Sequence, residues 1–152
     1  MLTNTFIGNH DVDRIASKVG QDKEILALGI LMTLPGMPSI YYGDEQGFEG
    51  TRGEGFSADD AVRPALPATP AELADLGAWI FREHQALIGL RRRNPWLTRA
   101  DIEVLDKTNE TISYRVFTDN EQLLIDAWLA PAPGIRIRSA DPAAETVYEW
   151  TP

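Results

Sequence analysis

Two short apolar runs, each ending abruptly in polar residues, constrain this chain more than any other feature. The first is TFIGNHD, Thr5 to Asp11; the second is GMPSIYYGDEQ, Gly36 to Gln46. Both are rich in β-branched and aromatic residues and apolar at neighbouring positions. Such runs suit strands buried on both faces of a parallel sheet, delivering polar groups at their carboxyl ends. Between them Lys23 to Leu34 is apolar at helical length, so about 40 residues spell out strand, helix, strand. Strands of this kind need a covering layer on each face, and one further helix does not provide it. A closed (β/α) barrel takes roughly 250 residues, whereas fewer than 100 precede the change of texture at Leu97. The unit therefore reads as a portion of something larger, or as strands hidden by self-association.

The rest of the chain divides by texture. From Gln46 to Ala68 runs a Gly- and Pro-rich stretch with the acidic pair Asp59-Asp60, too long for a plain connector and therefore functional or mobile. Thr69-Pro70-Ala71-Glu72 has the form of a capping box with proline at the first helical position. It predicts a helix carrying Leu73, Leu76, Ile80, Leu87 and Ile88 on one stripe and stopping before Asn94-Pro95. His84 falls on that stripe and is expected in the core. Beyond Leu97, the runs Ile102–Leu105, Ile112–Phe117, Leu123–Leu129, Ile135–Ile137 and Thr146–Trp150 predict strands. Turn residues at Asn109, Asp119-Asn120, Pro131 to Gly134 and Asp141-Pro142 separate them. The fold class is α+β, with residues 1–97 forming the first domain and 98–152 a small antiparallel sheet or β-sandwich. Trp96 is the expected packing residue between the two.

With 152 residues and 43% apolar content the chain can build a packed core. Its net charge of −9 argues against nucleic acid or an anionic membrane surface as partner, because neutralising phosphate needs clustered Lys and Arg. The one basic cluster, Arg91-Arg92-Arg93, is expected at the negative end of its own helix dipole. The chain has no cysteine, which excludes a disulfide scaffold and thiolate metal sites. No signal-like opening and no apolar run of about 18 residues is present, so the expectation is a cytoplasmic location. Asp22, Glu24, Asp59 and Asp60 are expected in solvent.

Asn9-His10-Asp11 closes the first strand, and at a strand-to-loop junction His10 and Asp11 can face one site. Acetal hydrolysis needs a proton donor, a carboxylate at the anomeric carbon and groups that stabilise an oxocarbenium-like transition state. A neutral imidazole beside a carboxylate suits the last task. The same residues also suit capping or a loop turn, and His10, Asp11 and Asp13 are the types that bind a metal, although nothing in their spacing confirms one. No metal or cofactor is expected.

FIGNHD followed by GMPSIYYGDE resembles two signature stretches of the α-amylase family of glycoside hydrolases, the motifs that end barrel strands seven and eight. The resemblance implies the last strand–helix–strand–helix portion of a (β/α)8 barrel, followed by the family's C-terminal β domain. Asp11 then matches the third catalytic carboxylate, which holds sugar hydroxyls and favours ring distortion. His10 matches the histidine that hydrogen-bonds the same sugar, with Asn9 beside it. Tyr42, Gly43, Asp44 and Glu45 match the strand-eight end that shapes the pocket. Arg63-Pro64 lies where members carry a substrate-contacting Arg-x-Pro loop, although Ala65-Leu66-Pro67 departs from that pattern. The nucleophile aspartate and the acid/base glutamate have their own motif contexts, and neither occurs in this sequence.

The implied function is the C-terminal part of a retaining enzyme acting on α-glucan or maltooligosaccharide, with the isolated chain inactive. The alternative is a non-catalytic module, either binding glucan through Trp79, Trp96, Trp128 and Trp150 or serving structure and oligomerisation. A homodimer that exchanges elements would also hide the apolar strands.

Overall fold

The computed structural model describes residues 2–140 and 145–152; the turn expected at Asp141-Pro142 lies outside them. Strand β1 (Asn4–Phe6) pairs in parallel with β2 (Met37–Ser39), in the register Asn4↔Met37, Thr5↔Pro38 and Phe6↔Ser39. Two helices connect them, α1 (Ile15–Val19) and α2 (Gln21–Thr33), so the expected strand–helix–strand unit is present. Both strands are shorter than their apolar runs. Residues 7–9 have already left the sheet, which turns Asn9, His10 and Asp11 into a loop beside the carboxyl end of β2. Gly20, at φ +82°, separates the two helices. Phe6 and Met37 are about half exposed, as strand faces without a cover must be.

Helix α3 spans Ala78–Arg93, eight residues later than the capping box predicts. The two side chains of the box do meet, Thr69 Oγ1 donating to Glu72 Oε1 at 2.8 Å, but neither caps a backbone N–H. Their contact closes only a 3₁₀ turn, Pro70–Glu72, after which Leu73 and Ala74 are extended. The physical reason lies at Gly77, whose absent Cβ would stand 2.5 Å from the Gln46 carbonyl oxygen. That close approach to the turn after β2 draws the chain off a helical path. The buried stripe is accordingly Ile80, His84, Leu87 and Leu90, while Leu76 is 85% exposed and Ile88 lies at the surface. His84 is a core residue, as expected. The helix stops at Arg93, ahead of Pro95.

The β region is one antiparallel meander: β3 (Asp101–Lys107), β4 (Thr111–Phe117), β5 (Gln122–Trp128), β6 (Gly134–Ser139) and β7 (Thr146–Trp150), in that spatial order. Its pleat sends Tyr114, Val116, Leu123, Ile125, Ala127, Ile135 and Ile137 to one face. The layer packed on that face is helical, supplied by α2 and α3. Gly29 of α2 lets Ile135 approach to where a Cβ would meet it at 2.6 Å. Thr33 Oγ1 and the Tyr114 hydroxyl share a 2.6 Å hydrogen bond. Between α3 and β7, Trp79 stacks on Trp150 with ring centroids 6.3 Å apart, and Tyr148 donates to Glu83 at 2.7 Å. Trp96 is half-buried against the same core, its Nε1 tied to Asn94 Oδ1. The helical layer stops short of β3, leaving Ile102, Val104 and Leu105 exposed at the sheet edge.

Arg91 is not simply a charge at the end of its own helix. Its guanidinium donates to the carbonyls of Met32 and Leu34, satisfying orphan acceptors at the C-terminus of α2, and to the Gly36 carbonyl just ahead of β2. It thereby fixes the approach to β2. No helix of the described residues is long and apolar enough to cross a membrane.

Candidate active site

The polar ends of β1 and β2 lie side by side because the strands are parallel. Asn9 Oδ1 accepts from the Asp11 backbone N–H at 2.8 Å, an Asx turn that reverses the chain and presents the two side chains after Asn9. His10 Nε2 lies 3.3 Å from Asp11 Oδ2, and both side chains are 60% exposed. Asp11 Oδ1 faces Arg63, whose Nη2 donates to it at 3.2 Å. Arg63 Nε also donates to the His10 carbonyl at 3.1 Å, and Nη2 to Asp59 Oδ2 at 2.6 Å. Asn9, His10, Asp11 and Arg63 therefore form one constellation, and its guanidinium is already engaged on three sides.

Tyr42 joins this group from below. Its hydroxyl donates to the Pro64 carbonyl at 2.9 Å, pinning the loop that bears Arg63, and its ring meets Tyr41 edge-on with centroids 4.8 Å apart. Beneath both tyrosines lies Arg14, which is 1% exposed. Its guanidinium sits 4.1 Å from the Tyr41 ring centroid and donates to the Tyr42 carbonyl and to Asp44 Oδ1. Gly8 passes directly over Asp44, since a Cβ there would stand 3.3 Å from Oδ2. Glu45 Oε2 accepts from the Gly43 N–H and shapes the same turn.

Glu24 corrects an expectation. It is fully buried rather than solvated, and neither carboxylate oxygen has a protein hydrogen-bond donor. Burial, with nearby Asp44 adding repulsion and Arg14 opposing it, pushes its carboxyl up to about 8. It is therefore uncharged at neutral pH, which is how an acid without a partner is accommodated in a core. Asp44 is raised by burial as well, against the pull of Arg14. Asp59 is likewise engaged rather than free. Arg52 Nε donates to its Oδ1 at 2.7 Å, and this bond, reinforced by Arg63, holds its carboxyl below the usual range.

Arg14, Arg52 and Asp59 were not identified by sequence reading. Only the spacing of four between Asp59 and Arg63 offered a signal, and on a non-helical loop that spacing carries little information. Among the described residues no group of three or more His, Asp or Glu is placed to hold a metal ion. Of the tryptophans, Trp79 and Trp150 are spent on each other at the helix–sheet interface.

The family model described as "Alpha amylase, catalytic domain" matches residues 1–70. A 4-alpha-glucanotransferase of Thermotoga neapolitana is 30% identical over 150 residues, covering 82% of this chain and 34% of the relative. An alpha-amylase of Streptomyces lividans is 36% identical over 120 residues, covering 61% of this chain and 13% of the relative. Among solved structures, an alpha-amylase from H. orenii superposes with a TM-score of 0.70 at 26% identity, over 92% of this chain and 33% of that one. AmyP in complex with maltose reaches a TM-score of 0.74 at 18% identity, a likeness of fold. The chain spans about a third of the length of the first of these relatives. Parallel strand ends carrying Asn-His-Asp and Tyr-Tyr-Gly-Asp-Glu, a helix-covered antiparallel sheet behind them, and these matches agree: the chain belongs to the α-amylase family of glycoside hydrolases, with the end of the catalytic barrel followed by a small β domain.

Proposed function

We propose that this chain supplies one wall of the sugar-binding cleft of a retaining enzyme that cleaves or transfers α-glucosyl units of glucans and maltooligosaccharides. The observation that carries this reading is the His10–Asp11 pair, held at the carboxyl end of β1 by the Asn9 turn and left open to solvent. Asp11 accepts hydrogen bonds from the hydroxyls of the sugar whose bond is broken, favouring the distorted ring as positive charge develops at its anomeric carbon. His10 donates to the same sugar. Asn9 keeps the turn, and Tyr42 holds the floor through Pro64. Arg63 touches Asp11 directly and closes the constellation on its loop side.

The nucleophile and proton donor of this chemistry have no matching motif in the 152 residues, so the isolated chain is expected to release no reducing ends from starch. Activity of the isolated chain that disappears in Asp11→Ala would mean it contains a nucleophile and an acid of its own, and would sink the reading. In a catalytically competent protein that carries these residues, Asp11→Ala should lower kcat by roughly a thousandfold or more with the melting temperature unchanged. Turnover that survives the substitution would refute the role given to Asp11.

A further inference from the structure

The stretch from Gln46 to Ala68 is fastened around the Asn9–Asp13 turn at successive points. Arg14 N–H donates to the Gly50 carbonyl at 2.9 Å, and the Gly50 N–H to Ser17 Oγ at 2.8 Å. The Arg52 N–H donates to Asp13 Oδ1 at 2.8 Å. From that anchored residue a chain of charged groups leads back to the site. Arg52 Nε binds one oxygen of Asp59, the other oxygen of Asp59 receives Arg63 Nη2, and Arg63 reaches both Asp11 Oδ1 and the His10 carbonyl. Both oxygens of Asp59 are thus committed to arginines, and its side chain is only 28% exposed.

We infer that Asp59 is a positioning residue: it aims Arg63 so that Asp11 presents one fixed carboxylate edge to the substrate. The inference rests on the reading of Asp11 given above. Without Asp59, a guanidinium on a long flexible stem would have one carboxylate partner fewer and a choice of rotamers. Asp11 would then sample orientations in which its free oxygen misses the sugar hydroxyls. Misplacement by about 1 Å at a reacting centre costs up to a hundredfold in rate. A residue that acts in this way lowers kcat and leaves ground-state binding nearly intact. A residue that binds the sugar equally in the ground and transition states shows up in KM.

The test is steady-state kinetics on maltooligosaccharides in the competent protein carrying these residues, comparing Asp59→Ala, Asp59→Asn and Arg52→Gln, with Asp11→Ala alongside. For Asp59→Ala, kcat should fall roughly tenfold to a hundredfold while KM stays within about twofold. Asp59→Asn, which keeps one acceptor oxygen for an arginine, should recover part of the loss, and Arg52→Gln should show a smaller loss of the same kind. A crystal structure of Asp59→Ala should show Arg63 turned away from Asp11. If KM instead rises tenfold at constant kcat, Asp59 and Arg63 are sugar ligands and the positioning role is overturned. If neither constant moves while Asp11→Ala abolishes turnover, the chain of arginines is idle and the inference fails on its own. If Asp11→Ala is harmless, there is no group to position, and both this inference and the assignment of the site fall together.

Discussion

Arg14 shows how single residues connect the core to the site. It is almost wholly buried, its charge offset by Asp44 and by the faces of Tyr41 and Tyr42, and it holds the Tyr42 carbonyl from below. A buried cation removed from its partner is costly, so the floor of the site and the interior are bound to one another. Glu24 sits in the same interior with no donor to either oxygen, and its consequence for pH can be stated with a sign. Its carboxyl titrates near its ordinary value, 4.5, when unfolded and at about 8 when folded. Between those values the unfolded chain releases a proton that the folded chain retains, so stability falls as pH rises through this window and levels off above it. Glu24→Gln removes the titration. Denaturant unfolding at pH 5, 7 and 9 should show the variant gaining on the parent as pH rises, by more than about 1 kcal/mol at pH 9. Equal slopes for the two proteins would show that Glu24 finds a partner or reaches solvent. Sequence placed Glu24 in water because charged residues seldom lie inside; its position on the inner face of α2 was decided by what packs there.

Among the elements, α3 separates local from tertiary control. Thr69, Pro70 and Glu72 satisfy every local rule for a helix start, and their side-chain bond forms. Propagation fails at Leu73 because the chain must bring Gly77 against Gln46. The capping box therefore stabilises one exposed 3₁₀ turn and nothing beyond it. Thr69→Ala should cost less than about 0.5 kcal/mol, below the roughly 1 kcal/mol typical of a working N-cap. A loss of 1 kcal/mol or more, accompanied by lower helicity in far-UV circular dichroism, would return the helix start to Thr69. The strands of the β domain were legible because a pleat has a period of two and turn residues punctuate it. Their layer partner was not, since an apolar sheet face fits a helix as well as a second sheet. Arg91 makes the same point: its charge and helical position were readable, while its three carbonyl partners lie 55 to 59 residues away.

On the scale of the whole molecule, a continuous apolar cluster runs from Ile25, Leu28 and Leu31 of α2 through Ile80, Leu87 and Leu90 of α3 to Tyr114, Ile125, Ile135 and Ile137 of the sheet. Helices and sheet share that core, and the Trp79–Trp150 stack and the Glu83–Tyr148 bond add to the same junction. The chain should therefore unfold in one transition, with tryptophan fluorescence and far-UV circular dichroism coinciding. Two separated transitions would show that helices and sheet hold independently. The strand–helix–strand order, the meander strands and the residues of the His10–Asp11 pair could all be read along the chain. All of these follow from local periodicity, turn chemistry and a motif contiguous in the chain. Long-range packing alone set Arg63 between Asp11 and Asp59, buried Arg14 and Glu24 near Asp44, and laid α2 and α3 over the sheet. Those contacts join residues tens of positions apart, and their identity depends on where the backbone comes to rest rather than on any pattern along it.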